Sequence, residues 1–226
     1  MPRKPIFLHV SALMLFLFFI QLHADLSYAA TLLTSRGNVT LVKNGKSEKI
    51  AIGESINEGQ SLKTGDASLA IITLKNGSVL KINANSELII TTANEATLDI
   101  QEGSVFAKVK KMGKIPFLIR AKTVTMGVRG TEFFASYSKT KKNKDQDIWM
   151  CVKEGQVEVE STETQEKVLV KEGEGVFVSS GKNITPPKPY EWTKKLNWNT
   201  NPEKGEIVNE LSIDSAYSDP LNRNYD

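Results

Sequence analysis

From Thr31 to Ser180 the chain is a succession of four-to-eight-residue runs rich in Val, Ile, Thr and Phe, cut by Gly, Asn and Lys turns. No window in it repeats its apolar residues at the 3.6-residue period of a helix. Strand candidates recur about every ten residues: Glu87–Thr92, Ala96–Ile100, Ser104–Lys110, Phe117–Ala121, Thr131–Ser138, Gln156–Ser161, Lys167–Lys171 and Val176–Ser179. This punctuation predicts an all-β fold, a sandwich, roll or barrel, held by burial across many short strands.

Two Asn-Gly pairs mark hairpins, because both residues tolerate positive φ. Asn44-Gly45 joins Val39–Val42 to Lys49–Ile52, and Asn76-Gly77 joins Leu69–Lys75 to Ser78–Ile82. A two-residue turn at Asn76-Gly77 pairs Thr73 with Leu80 and Ile71 with Ile82. It sets Leu69, Ile71, Leu80 and Ile82 on one core face. On Ser104–Lys110, Val105, Ala107 and Val109 are expected to face inward, with Phe106, Lys108 and Lys110 outward on a blunted edge. Gly37, Gly103 and Gly155 each open a Gly-x-Val step into a strand, and Gly53, Gly59 and Gly65 are spaced by six residues. Glycines so placed suit the corners of a tightly turning β chain.

The N-terminus carries a different signal. Arg3 and Lys4 precede a fifteen-residue apolar run, Ile6–Ile20, and Ser27-Tyr28-Ala29-Ala30 offers a small-residue site for cleavage after Ala29. A helix of that run spans about 22 Å, short of the roughly 30 Å hydrocarbon core. A cleaved export signal is therefore expected, and an uncleaved membrane anchor is the alternative. Both histidines of the chain, His9 and His23, lie in this leader. The processed chain of 197 residues would hold no imidazole, which excludes Ser-His-Asp and Cys-His catalysis and His metal ligation. Taking the leader's two basic residues and one acidic residue from totals of 29 and 26 leaves 27 and 25, a net of +2. That balance gives no electrostatic case for a polyanion partner.

The single cysteine, Cys151, permits no intrachain disulfide, and its run Ile148–Val152 marks it as a small core residue. Phosphate-loop and dinucleotide glycine patterns are absent, and no carboxylate pair stands out by context. The expectation is a protein that is not an enzyme, with no catalytic residue, cofactor or metal. No zinc-finger, helix-turn-helix or RNA-binding aromatic pattern suggests a nucleic-acid partner.

Composition changes near Ser180. The remainder holds five of the eight prolines, and from Thr200 onward two basic residues face six acidic ones. The expected division is a leader, 1–29, a β domain, 30–181, and a linker with an acidic, largely disordered tail, 182–226. Trp192 and Trp198 in that tail either fold back onto the β body or anchor a partner. Lys139, Lys141, Lys142 and Lys144 form a basic run that caps a hairpin between Phe133–Tyr137 and Ile148–Val152. It reads as a solvated loop, with Lys141 and Lys142 as the alternative partner contacts.

Met126–Phe133 (MGVRGTEF) resembles the V-R-G-T-x-F signature of FecR domains, carried here by Val128, Arg129, Gly130, Thr131 and Phe133. Other pieces follow the same family in order. These are the glycine-spaced block Ile52–Gly65, the Leu74–Ser78 hairpin, the Gly-x-Val strands in Leu98–Val105 and Val152–Val159, and the closing turn Leu169–Glu174. The likeness covers about residues 31–180. It implies a sandwich, roll or β-helix-like domain and a non-enzymatic exported module of the bacterial cell envelope. The partner would be a protein or an envelope polymer, with a link to envelope signalling. Family sensors carry a cytoplasmic segment that binds a sigma factor, then a membrane span; here an export leader stands in that place, so sigma-factor control does not transfer. Two other readings remain: a self-associating structural component, and an uncleaved single-pass sensor, for which alone membrane contact is expected. The signature residues read as structural, Arg129 either satisfying backbone carbonyls or a carboxylate beside a glycine turn or contacting an anion or partner.

Overall fold

The computed structural model describes residues 28–43, 45–91, 97–111, 117–139, 146–180, 182–190, 193, 200–201 and 206–207. Residues 1–27 and the positions Lys141, Lys142, Trp192 and Trp198 lie outside the described residues. The fold is all-β, and among the described residues eighteen strands form one connected, unclosed sheet folded into two layers.

Sheet I runs, edge to edge, through β4 (Ser55–Asn57), β1 (Tyr28–Arg36), β6 (Leu69–Leu74), β7 (Val79–Ile82), the second half of β9 (Thr97–Lys108), β12 (Glu132–Lys139), β13 (Gln146–Glu154) and β16 (Glu174–Ser179). The short strands β17 (Asn183–Ile184) and β18 (Lys188–Pro189) pair with the free side of β16. Sheet II runs through β3 (Lys46–Lys49), β2 (Val39–Lys43), β5 (Ser61–Thr64), β8 (Ser86–Thr91), the first half of β9, β10 (Phe117–Ala121), β11 (Val124–Val128), β14 (Gln156–Ser161) and β15 (Lys167–Lys171). Every pairing is antiparallel except β9 with β10. A separate two-stranded ladder joins β19 (Thr200–Asn201) to β20 (Glu206–Ile207).

The core lies between the layers. Leu32, Ile72, Leu80, Val105 and Phe133 of sheet I meet Leu41, Leu62, Leu88, Met126 and Val159 of sheet II, all within 1% of complete burial. Each such aliphatic or aromatic side chain contributes on the order of 1.5–3 kcal/mol. β9 is central to both layers: its first half lies between β8 and β10, and its second half between β7 and β12. The bend is at Gly103, with φ +89°, and Gly37 and Gly155 occupy the same kind of position where the chain passes from sheet I to sheet II. The three Gly-x-Val steps are thus corners between layers, where positive φ turns the strand without a Cβ.

The strand after Asn44-Gly45 is Lys46–Lys49, which pairs with β2, and not Lys49–Ile52, where Ile52 is 65% exposed. Two further expectations are corrected. The Asn76-Gly77 hairpin has a three-residue loop, Lys75–Gly77, with Leu74 N–H donating to Ser78 C=O at 2.8 Å. The ladder then reads Thr73 with Val79, Ile72 with Leu80 and Ile71 with Lys81. Asn76 Oδ1 accepts the Ser78 N–H at 2.8 Å and Gly77 takes φ +78°, a geometry the same dipeptide serves as well as a two-residue turn. One residue of slip exchanges faces, so Ala70, Ile72, Leu80 and Ile82 enter the main core, while Leu69, Ile71 and Val79 form a second cluster with Leu33. The second correction concerns Ser104–Lys110. Val105, Ala107 and Val109 do face inward, but the strand is paired on both sides and Phe106 is buried, so it is no edge.

Candidate functional site

The V-R-G-T-x-F residues build the corner between β11 and β12. Val128 ends β11 in sheet II, Arg129 and Gly130 form an exposed bend, and Phe133 is fully buried in β12 between Ala107 and Val152. Thr131 is buried; its Oγ1 donates to the Gln156 carbonyl at 3.0 Å and its carbonyl accepts the Val109 N–H at 2.9 Å. The neighbouring corner packs on it so tightly that a Cβ on Gly155 would lie 3.1 Å from both Gly130 O and Thr131 Oγ1. Glu132 stands between Lys153 at 2.7 Å and Lys108 at 3.9 Å.

Beside this corner a groove of about 460 Å³ opens, lined by Lys111, Gly127, Arg129, Gly130, Gln156, Glu158 and Leu169. Arg129 is exposed, as is Leu169, 44% accessible. The groove offers two cations, one carboxylate and an apolar edge, a surface suited to a polar protein segment. Among the described residues, no group of three or more His, Cys, Asp or Glu could hold a metal ion, and no helix is long and apolar enough to cross a membrane.

The outer faces of the two sheets differ. Sheet II presents charge pairs, Glu160 with Lys167 at 2.9 Å and Lys63 with Glu87 at 2.9 Å, and places Asp99 opposite Arg120. Partial burial pushes the Asp99 carboxyl up, against the opposing pull of Arg120. Exposed pairs of this kind contribute about 0–1 kcal/mol each. Sheet I instead carries a row in register across its strands that is apolar but for one lysine: Ile71, Lys81, Phe106, Phe134 and Cys151. Phe106 and Phe134 have ring centroids 4.8 Å apart, and Trp149 lies 4.4 Å from Phe177.

Lys81 is 1% exposed, with Nζ 4.8 Å from the Phe106 ring centre. Desolvation, reinforced by the charge of Arg36, pushes its pKa down to about 8. Cys151 is fully buried, and desolvation pushes its thiol up, opposed by the nearby Thr193 side chain and Phe134 backbone. Such a thiol is inert near neutrality. Neither the burial of Lys81 nor the polar corner of Thr64, Asn83, Ser86 and Ser104 is foreseen from sequence. There Thr64 Oγ1 donates to Asn83 O at 2.5 Å, Ser86 N–H donates to Thr64 Oγ1 at 3.0 Å, and Asn83 Nδ2 donates to Ser104 Oγ at 2.7 Å. Lys81 and Asn83 make their face of the hairpin read as only partly covered, so the sequence signal understates this burial.

The open two-layer β fold and its signature corner can be set beside known proteins. Residues 60–158, from β5 into β14, match the family model described as FecR protein, the family that the signature residues resemble. No curated protein matches the chain. Two crystal structures of a "putative anti-sigma factor" from Parabacteroides distasonis ATCC 8503, at 1.65 Å and 2.50 Å, each match with TM-score 0.53 and 20% identity. Each match covers 62% of this chain, and 65% and 64% of the respective structures, so the likeness spans just under two thirds of their length. At that identity the likeness shows a shared fold.

Proposed function

We propose that this protein is an exported, non-enzymatic module of the cell envelope that binds a protein partner in signalling. The observation that carries the reading is the FecR match over residues 60–158, which contains the central strand and the signature corner. The leader supports export, and the two solved structures of similar fold, titled a "putative anti-sigma factor", support a regulatory setting. The groove beside Arg129 is the partner contact, with Arg129 and Lys111 receiving a carboxylate and Leu169 an apolar side chain.

Self-association through sheet edges is the weaker reading. The edge strands β3 and β15 carry Lys46, Lys49, Lys167 and Lys171, all exposed, a pattern that resists edge-to-edge pairing. The test is affinity purification of the tagged protein from the envelope fraction, with Arg129→Glu as control. A defined protein retained by the native chain and lost from the variant is expected. Equal recovery of every protein by both, with the bait folded, sinks the proposal.

A further inference from the structure

The outer face of sheet I is apolar, yet three of its aromatic side chains are more than nine-tenths buried: Phe106 is 6%, Phe134 4% and Trp149 4% exposed. Sheet II packs on the opposite face, so it does not provide this burial. Tyr190 and Thr193 reach over one end of it. Tyr190 is 8% exposed and lies so close to Gly175 that a Cβ there would be 3.1 Å from Tyr190 Cδ2. Thr193 is 4% exposed, near enough to Cys151 to act on its thiol, with its N–H donating to Tyr190 O at 3.1 Å.

We propose that this face is the docking surface for the chain's own C-terminal segment, residues 191–226. Length permits this. From β16 to β1 the sheet advances six strand spacings, roughly 29 Å at about 4.8 Å each. An extended chain at about 3.3 Å per residue covers that in about nine residues, and the segment has 36. Composition fits as well. Trp192, Trp198, Ile207, Val208, Leu211 and Ile213 supply apolar side chains. From Thr200 onward six acidic residues face two basic ones, while the face carries Lys81 and, at its far rim beside Leu69, Arg36. This assignment stands independently of the partner proposed for the Arg129 groove.

Cys151, the sole cysteine, reports on the cover. Its reaction with the thiol reagent DTNB is compared at one pH in the full chain, in a chain ending at Tyr190, in the full chain with Thr193→Arg, and in a chain lacking residues 1–27. Far-UV circular dichroism establishes that each is folded. The truncated chain and the Thr193→Arg variant are expected to react at least tenfold faster than the full chain, and a synthetic peptide of residues 191–226 is expected to restore slow reaction to the truncated chain. If the truncated chain fails to fold, Thr193→Arg in the full chain decides alone. Slow reaction in the folded truncated chain overturns the proposal, and so does exposure of Cys151 by removal of residues 1–27 alone, which would make the leader the occupant.

Discussion

Ser86 Oγ accepts the N–H of Ser104 at 3.0 Å, at the point where β9 leaves sheet II for sheet I. Gly103 lies against Ser86 at φ +89°, and a Cβ on it would overlap both the Ser86 hydroxyl and the Ser86 backbone. Gly103→Ala is therefore expected to cost about 3 kcal/mol, the sum of left-handed strain and overlap with a backbone that cannot retreat. Gly59→Ala, also at positive φ but with no heavy atom within 4 Å of the added Cβ, is expected to cost only about 1 kcal/mol. Urea midpoints of the two variants check the difference, and equal losses would show that the corner is not tightly packed.

Lys81 gives the fold a pH dependence of defined sign. Its folded pKa of about 8 lies below its ordinary value of 10.5, so between those values the unfolded chain binds more protons. Stability contributed by this group is flat below about pH 8 and rises toward pH 10.5, by up to about 3 kcal/mol. Urea unfolding at pH 7 and pH 10 is expected to show this rise in the native chain relative to Lys81→Met. The comparison removes the opposing effect of Tyr137 and Tyr190, whose phenols burial pushes up.

Substitutions along the signature corner should separate its members. Phe133→Ala empties a fully buried site and is expected to cost about 4 kcal/mol. Thr131→Val removes the bond to Gln156 O and costs about 1 kcal/mol. Arg129→Ala, on the exposed bend, stays within about 0.5 kcal/mol. Thermal denaturation of the three variants ranks them. A large loss from Arg129→Ala would give that side chain a structural duty in the corner.

The start of β1 bears on processing. Tyr28 pairs with Asn57, Ala29 is fully buried, and Lys75 N–H donates to Ala29 O at 3.1 Å. A protein beginning at Ala30 is expected to be about 1 kcal/mol less stable than one beginning at Tyr28, measurable as a lower urea midpoint.

Much of the architecture was legible because alternation in exposed strands is unambiguous. Phe117–Ala121, Gln156–Ser161 and Lys167–Lys171 occur with the bounds read from the sequence. The register of the Asn76-Gly77 hairpin was not, since one dipeptide serves two loop lengths and the choice depends on which face finds a partner layer. Lys81 was hidden for the same reason: a lysine flanked by apolar residues looks solvated until Phe106 and Phe134 appear beside it. The signature residues were visible as a motif, but that Thr131 reaches Gln156 depends on a contact between residues 25 apart in sequence, which local pattern cannot carry.

Because β9 threads both layers, neither half of the molecule has an interior of its own. Amides at Leu98 and Ile100 in one layer and at Val105 and Ala107 in the other should exchange with solvent at a common slow rate, opening only when the entire body opens. A cut in one of the surface loops would then leave two fragments that stay clasped together. Added sequence would be tolerated at hairpin tips and nowhere along the shared strand.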